Sequence, residues 1–139
     1  MDSVIVERLG ALRNELAYLK TEREQAARFS DYAASPRIHR AVERSLQISI
    51  EACIDIGRRI VALEELEVPD DNPSVFRILH AAQLISDALM PTLLEMVRFR
   101  NLIVHDYTRI DDAIVHSILL NRLGDFEAFA EAIGNYLRR

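Results

Sequence analysis

Residues 35–63 read SPRIHRAVERSLQISIEACIDIGRRIVAL and carry a long, regular apolar pattern. Ser35 followed by Pro36 is typical of a helix N-cap and the first helical turn. Beyond them, apolar side chains recur mostly at the spacing of one face of an α-helix. These side chains are Ile38, Val42, Leu46, Ile50, Cys53, Ile54, Ile60 and Leu63. The pattern predicts a long helix at the centre of the fold.

The segments on either side of this helix carry similar apolar patterns, such as Leu9, Leu12 and Leu16. Acids, Asn72 and two prolines mark Glu65–Pro73 as a connection. We predict four further helices: Ser3 to about Arg28, Ser74 to about Ile85, the turn at Pro91 to about His105, and Asp111 to Leu137 with a bend at Gly124. No segment shows the alternation of a β-strand. The chain is therefore predicted to form an all-α antiparallel bundle of four or five helices.

Length and composition restrict the class of protein. The 139 residues suit one domain, spanning 1–139, and four Gly and four Pro are too few for a disordered or turn-rich chain. The single cysteine, Cys53, forms no internal disulfide, and neither a secretion signal nor a bilayer-spanning run is recognisable, so we expect a cytoplasmic protein. A net charge of −5 argues against a broad nucleic-acid-binding surface. Any contact with RNA or DNA must therefore be local.

Residues 98–107 read RFRNLIVHDY and carry unusual chemistry. On a helical wheel, Arg100 projects from an apolar face that includes Val97 and Val104. A guanidinium in such a position requires a partner or an interface, because burying an unpaired charge is costly. One explanation is an ion pair with an acid of the long helix. The candidate acids are Asp55, Glu51 and Glu43.

His105 lies four residues after Asn101, so the two share one side of the helix. Arg100 and His105 are separated by about 140° and do not meet on one straight helix. Either the helix ends early or the site is assembled from two chains. Taken alone, His105 is typical of a capping or solvated residue near a helix C-terminus. Tyr107 alone is typical of a partly buried packing residue.

Together these residues form the motif Arg100-x4-His105-x-Tyr107, with Asn101 directly after the arginine. The motif resembles the signature of the HEPN superfamily, in particular of the HepT-like toxins of the HepT–MNT toxin–antitoxin systems. Residues 41–56 are similar to the family's central helix. Residues 100–107, 110–111 and 125–127 are similar to its second half. The resemblance covers nearly the whole chain and is least distinctive over residues 1–36.

The resemblance implies a HEPN-like bundle that forms a homodimer and acts as an endoribonuclease without a metal ion or cofactor. In such a reaction, the ribose 2′-hydroxyl attacks the neighbouring phosphate and leaves a 2′,3′-cyclic phosphate. A group that moves protons and a fixed positive charge are required, and His105 and Arg100 suit these two roles. Asn101 is expected to orient His105 or to contact a phosphate oxygen. Asp106 is expected to hold the imidazole.

The resemblance also implies a regulatory role for Tyr107. In HepT-like proteins of these type VII-like systems, an MNT-type nucleotidyltransferase antitoxin transfers AMP from ATP to the tyrosine of the motif. Carried over, Tyr107 is the AMP acceptor. A phosphate group two residues beyond His105 would exclude RNA by bulk and by charge repulsion.

Two alternatives remain at this stage. The chain could be a helical partner of a nucleotidyltransferase that does not cut RNA, which its net acidity favours. It could also be an ordinary structural bundle in which Arg100 forms an internal salt bridge. The lone His39, His80 and His116 lack companions at metal-ligand spacing and are interpreted as ordinary helix residues.

Overall fold

The structure, a computed structural model of residues 1–139, contains helices and no β-strand. The seven helices are α1 (Ser3–Gln25), α2 (Phe29–Ala33), α3 (Pro36–Leu63), α4 (Asn72–Ala81), α5 (Leu89–His105), α6 (Asp112–Asn121) and α7 (Leu123–Leu137). A 3₁₀ turn, Tyr107–Arg109, follows α5. The predicted all-α bundle is confirmed, with seven helices rather than four or five.

Helix α3 is the centre of the bundle, as its sequence predicts. It packs along α1 and also contacts α2, α4, α5 and α6. The Ser35 hydroxyl caps it by accepting a hydrogen bond from the Ile38 amide at 3.2 Å. Asp2 caps α1 through the Ile5 amide at 3.0 Å, and its other carboxylate oxygen binds Arg59 at 2.8 Å. One aspartate therefore caps α1 and ties its start to α3.

Helix α2 is an addition to the predicted elements. It has five residues, too few for an apolar period to be visible in the sequence. Tyr32 anchors it, because this side chain is fully buried against α3 and α6. The connection between α1 and α3 is thus a packed segment.

The last predicted helix is divided in two. The break falls at Arg122, whose backbone leaves the helical region with φ −119° and ψ 4°. Its guanidinium binds Asp125 at 2.6 Å and Glu95 of α5 at 3.3 Å. Gly124, where we predicted a bend, lies in the first turn of α7. The arginine therefore joins the break to α5.

Other helix ends differ from prediction by a few residues. Helix α4 begins at Asn72 rather than Ser74, and Asp71 caps it by accepting a hydrogen bond from the Ser74 amide at 2.8 Å. Helix α4 ends at Ala81 rather than near Ile85, and α5 begins at Leu89, before Pro91. A loop from 82 to 88 therefore separates α4 from α5.

The core is one cluster of 30 buried residues to which every helix contributes. The rings of Phe76 in α4 and Phe129 in α7 meet edge to face, with centroids 6.2 Å apart. Leu93 and Val97 anchor α5 in this cluster with no exposed surface. Helix α5 also packs against α3 and α4. No helix is both long enough and apolar enough to cross a bilayer.

Helices α3 and α4 approach each other closely at Gly57. A β-carbon at this position would lie 2.7 Å from Cγ1 of Val75, a stiff β-branched side chain. We expect Gly57→Ala to lower the melting temperature, because overpacking costs ~1–3 kcal/mol and exceeds the gain of about 1 kcal/mol in helix propensity.

Gly10→Ala is the matched control, since nothing lies within 4 Å of its added β-carbon. This variant should melt above the unsubstituted chain. Thermal denaturation followed by circular dichroism measures both. A Gly57→Ala variant as stable as Gly10→Ala would contradict the close approach of α3 and α4.

Candidate active site at the C-terminal end of helix α5

The motif predicted from sequence lies where α5 ends. His105 is the last helical residue, and the Asp106 amide donates a hydrogen bond to the Leu102 carbonyl at 2.9 Å. The Arg109 amide then donates to the Asp106 carbonyl at 3.0 Å and closes the 3₁₀ turn. His105 is exposed, and Tyr107 has 56% of its surface accessible. Both side chains are therefore open to an external molecule.

Arg100 is held between α5 and α3. Its Nη2 and Nε donate to Glu51 Oε2 at 2.9 and 3.3 Å. The arginine side chain is 20% exposed and the glutamate side chain 35%. Of the three acids proposed as partners, Glu51 is the one that binds, whereas Asp55 pairs with Arg8 at 3.4 Å. Within one chain, the ion-pair explanation for Arg100 is the observed one.

Asn101 completes the hydrogen bonding of this arginine. Its Oδ1 accepts a hydrogen bond from Arg100 Nη1 at 3.2 Å, and no hydrogen bond joins it to His105. A guanidinium carries five N–H donors, of which these contacts use three. Arg100 also lines a cleft of ≈ 350 Å³ with Arg58 and Asn72. The arginine is therefore oriented and keeps donors for a further acceptor.

Asp106 and His105 are not in contact through hydrogen bonds. The Asp106 carboxylate pairs with Arg109 at 3.3 Å, and the His105 imidazole has no hydrogen-bond or ion-pair partner within the chain. Because α5 is continuous through Arg100 and His105, these two side chains point about 140° apart. One chain thus brings Arg100 and Asn101 together and leaves His105 apart.

Tyr107 lies near Glu43, a residue of α3, and each side chain changes the pKa of the other. Glu43 is 5% exposed, and its Oε1 is buried without a hydrogen-bond partner. Burial raises the pKa of Glu43, and the carboxylate charge in turn raises the pKa of Tyr107 by opposing the phenolate. The AMP acceptor suggested by the motif therefore has a buried acid as its neighbour.

Glu43 belongs to a polar cluster that lies beneath Tyr107, formed by Tyr32, His39, Glu43 and Asp112. The Tyr32 and His39 rings lie 4.5 Å apart, and His39 Nδ1 is 3.8 Å from Asp112 Oδ2. The Tyr32 hydroxyl and His39 Nε2 are also buried without hydrogen-bond partners. Three of the chain's four buried, unpartnered side-chain atoms thus belong to this cluster.

From the sequence alone, His39 is an ordinary helix residue and Glu43 is only a candidate partner for Arg100. One signal was available. Glu43 lies three residues before Leu46 and seven before Ile50, so it occupies the buried stripe of α3. An acid in that register is unusual and indicates a specific role.

The arrangement of helices can be compared with known proteins. A profile of the family described as Ribonuclease HepT-like matches residues 9–133. The chain belongs to this family. The resemblance that the Arg100, His105 and Tyr107 motif predicted is confirmed, and membership makes the chain a HepT-like ribonuclease. The mRNA nuclease HepT of Shewanella oneidensis is 28% identical over 134 residues, which cover 96% of this chain and 98% of that protein.

Solved structures of toxin–antitoxin assemblies have the same fold. One is the tri-AMPylated HEPN toxin of Shewanella oneidensis, solved in complex with MNT antitoxin. It superposes with a TM-score of 0.87 at 28% identity, and the match covers 97% of this chain and 99% of that chain. A toxin–antitoxin with AMP-PNP gives a TM-score of 0.85 at 27% identity, covering 96% and 98%. YutE of Bacillus subtilis shares the fold alone, with a TM-score of 0.80 at 18% identity, covering 96% and 87%.

Proposed function

We propose that this HepT-like protein is the toxin of a toxin–antitoxin pair and cleaves RNA at Arg100 and His105 without a metal ion. The observation that carries the proposal is the intact Arg100-x4-His105-x-Tyr107 motif at the exposed end of α5 in a member of this ribonuclease family. The relative named mRNA nuclease HepT and the toxin solved with its antitoxin support the same role.

In the proposed reaction the substrate supplies the nucleophile. The ribose 2′-oxygen attacks the adjacent phosphorus, the bond to the 5′-oxygen breaks, and the products are a 2′,3′-cyclic phosphate and a 5′-hydroxyl. His105 moves the proton of the 2′-hydroxyl to the leaving 5′-oxygen, since imidazole is the side chain most often used in acid–base catalysis and this one is open to solvent. Arg100 stabilises the negative charge on the phosphorane-like transition state, and Asn101 fixes the guanidinium that does so.

The reaction requires Arg100 and His105 on the same phosphate. Since one α5 directs them about 140° apart, we propose that two chains form a dimer and each provides one of the two groups. Asp106 then acts in support, because its ion pair with Arg109 braces the turn that follows His105. In this dimer, the apolar side chains around Arg100 would contact the second chain.

Tyr107 is the proposed site of neutralisation. It is exposed, lies two residues beyond His105, and follows the end of α5. We propose that an MNT-type nucleotidyltransferase transfers AMP to its hydroxyl. The added phosphate would occupy the path of the RNA backbone and repel it. The tri-AMPylated state of the related toxin supports this assignment.

The defining experiment is cleavage of a short single-stranded RNA by the purified, unmodified protein in excess EDTA. We expect fragments that end in 2′,3′-cyclic phosphate, identified by mass spectrometry. A DNA oligonucleotide of the same sequence is the matched control and should survive, because it lacks the attacking hydroxyl. Cleavage of the DNA, or an absence of RNA cleavage, would contradict the proposed reaction.

A second candidate function is favoured by the ion pairs of the single chain. Glu51 binds Arg100, and Arg109 binds Asp106, so the charged groups of the motif already have partners. In this alternative the chain binds the nucleotidyltransferase without cutting RNA. It predicts a stable complex with that enzyme and no RNA cleavage at any protein concentration.

A further inference from the structure

The buried carboxylate beneath Tyr107 is not used by the proposed cleavage. Glu43 is almost inaccessible to solvent, while the neighbouring tyrosine ring is open. Its Oε1 lies in the interior with no donor in hydrogen-bond range. An ionised carboxylate in this state destabilises the fold, because it is desolvated and incompletely paired. Its position in the polar cluster, near an exposed phenol, points to a use in proton transfer.

We propose that Glu43 accepts the proton of the Tyr107 hydroxyl when AMP is transferred to that oxygen. The inference rests on the proposed function, in which Tyr107 is the AMP acceptor. Asp112, five residues after Tyr107, lies 3.8 Å from His39, which is one helical turn before Glu43, so the segment that carries Tyr107 lies against this part of α3. Glu43 is buried in the bundle, whereas the nucleotide must approach the exposed tyrosine from the solvent side. The two reactants would thus meet the hydroxyl from opposite directions.

The Tyr107 oxygen forms a bond to the α-phosphorus of ATP, and the bond from that phosphorus to the bridging oxygen of the β-phosphate breaks. Pyrophosphate leaves with the electron pair of that bond. The tyrosine proton passes to the Glu43 carboxylate. A neutral phenol is a weak nucleophile, so a positioned base is expected to contribute ~10²- to 10⁴-fold to the rate.

The groups around Glu43 make its carboxylate a stronger base. Burial is the main cause of its raised pKa, and the negative charge of Asp112 adds to it. His39 and the Tyr107 hydroxyl act in the opposite sense. Tyr32, the remaining neighbour, stays neutral because burial raises its own pKa far above the usual range. The raised pKa of Glu43 makes its carboxylate a better proton acceptor, while the raised pKa of Tyr107 keeps that hydroxyl protonated until a base removes the proton.

The chain contains a matched control for this geometry. Glu22 is also a buried glutamate with an unpartnered carboxylate oxygen, and it lies beside the hydroxyl of Tyr18 on α1. Neither residue belongs to the motif. Glu22→Gln therefore removes a buried carboxylate next to a tyrosine without altering Tyr107.

The experiment measures AMP transfer by the MNT-type nucleotidyltransferase with magnesium and ATP, followed by intact mass. Glu43→Gln keeps the shape of the side chain and removes the base. We expect its initial rate of AMP transfer to fall at least ~10²-fold, and Glu22→Gln to react at the unsubstituted rate. Tyr107→Phe should gain no AMP. RNA cleavage by unmodified Glu43→Gln should be unchanged.

The pH dependence separates proton transfer from a structural effect. Glu43 must be ionised to act as the base, so the ratio of the unsubstituted rate to the Glu43→Gln rate should be greatest near about pH 8 and shrink toward about pH 5. Both proteins meet the same nucleotidyltransferase, so the pH response of that enzyme cancels in the ratio. A purely structural defect would give a ratio that does not change with pH.

The raised pKa of Glu43 predicts how Glu43→Gln changes the stability of the fold. The pKa of Glu43 is higher in the folded chain than its ordinary 4.5. The contribution of this group to stability is therefore present while it is protonated at low pH, and it is lost as the group ionises with rising pH. Glu43→Gln should therefore melt at least as high as the unsubstituted chain at neutral pH. A well-folded variant that accepts AMP at the unsubstituted rate would overturn the role of Glu43.

Results that overturn the proposed function differ from results that overturn only the role of Glu43. Persistent modification of Tyr107→Phe, or no modification of the unsubstituted chain, would remove Tyr107 as the acceptor and the role of Glu43 with it. If AMP transfer requires Tyr107 but proceeds at the same rate in Glu43→Gln, Tyr107 remains the acceptor and only the role of Glu43 is overturned.

Discussion

Arg100→Ala and His105→Ala should each lower the rate of RNA cleavage by ~10²-fold or more. Removing a positioned acid–base group costs ~10²- to 10⁴-fold, and removing a donor that stabilises transition-state charge costs ~10²- to 10³-fold. The two losses should not add in the double variant, because residues that act as a unit are non-additive. Initial rates on a fluorescent single-stranded RNA in EDTA measure all three.

Matched controls are available for both substitutions. Arg13 is exposed on α1 without an ion pair, and His80 pairs with Asp87 on the surface of α4. Arg13→Ala and His80→Ala remove the same groups from helices other than α5 and should retain most of the activity. Cleavage that persists in Arg100→Ala or His105→Ala would contradict the site assignment.

Arg100→Ala also leaves the Glu51 carboxylate without its partner, so a folding defect must be distinguished from lost chemistry. Arg100→Lys addresses this point. A lysine keeps the positive charge for Glu51 but lacks the planar fork of donors that holds two acceptors at once. We expect a melting temperature close to that of the unsubstituted chain and strongly reduced cleavage. If Arg100→Lys cleaves RNA as fast as the unsubstituted chain, only the positive charge of Arg100 is needed for cleavage.

The apolar periodicity of the sequence was sufficient to predict the helices that carry the site. In α3 the stripe through Val42, Leu46 and Ile50 coincides with the buried face, and the Ser35 cap is present as predicted. The polar break at residues 106–109 follows His105 as expected. These features are local, and local patterns determine where a helix begins, ends and becomes buried.

The parts that the sequence did not predict depend on contacts between helices. The partner of Arg100 was left open among three acids, because the choice of Glu51 depends on the rotation of α3 against α5. The break at Arg122 arises from its bond to Asp125 and from Glu95 on another helix. A periodic pattern within one helix contains no information about such pairings.

The same limit applies to Glu43. Its burial follows from the register of α3, but its proximity to Tyr107 depends on a turn after α5, 64 positions further along the chain. Sequence therefore identifies an anomalous acid and leaves its neighbour unknown. The site is consequently predictable in its residue types and in its place on α5, and its connection to the interior is a property of the folded chain.

Mixed dimers should test whether the nuclease site is shared between chains. An Arg100→Ala chain and a His105→Ala chain, co-expressed with different affinity tags and purified through both, yield dimers with one chain of each kind. If each site takes its arginine from one chain and its histidine from the other, one of the two sites is intact. We expect about half of the activity of a doubly tagged unsubstituted dimer.

The alternative geometry gives the opposite result. If both groups acted from a single chain, every site in the mixed dimer would lack one of them, and the activity would stay at the level of the two homodimeric variants. Helix α5 runs unbroken from Arg100 to His105, and the arginine is tied to Glu51 while the imidazole is free. Bringing both groups to one phosphate within a chain would require α5 to unwind between them. An inactive mixed dimer would contradict the shared site. It would imply instead that α5 unwinds between Arg100 and His105.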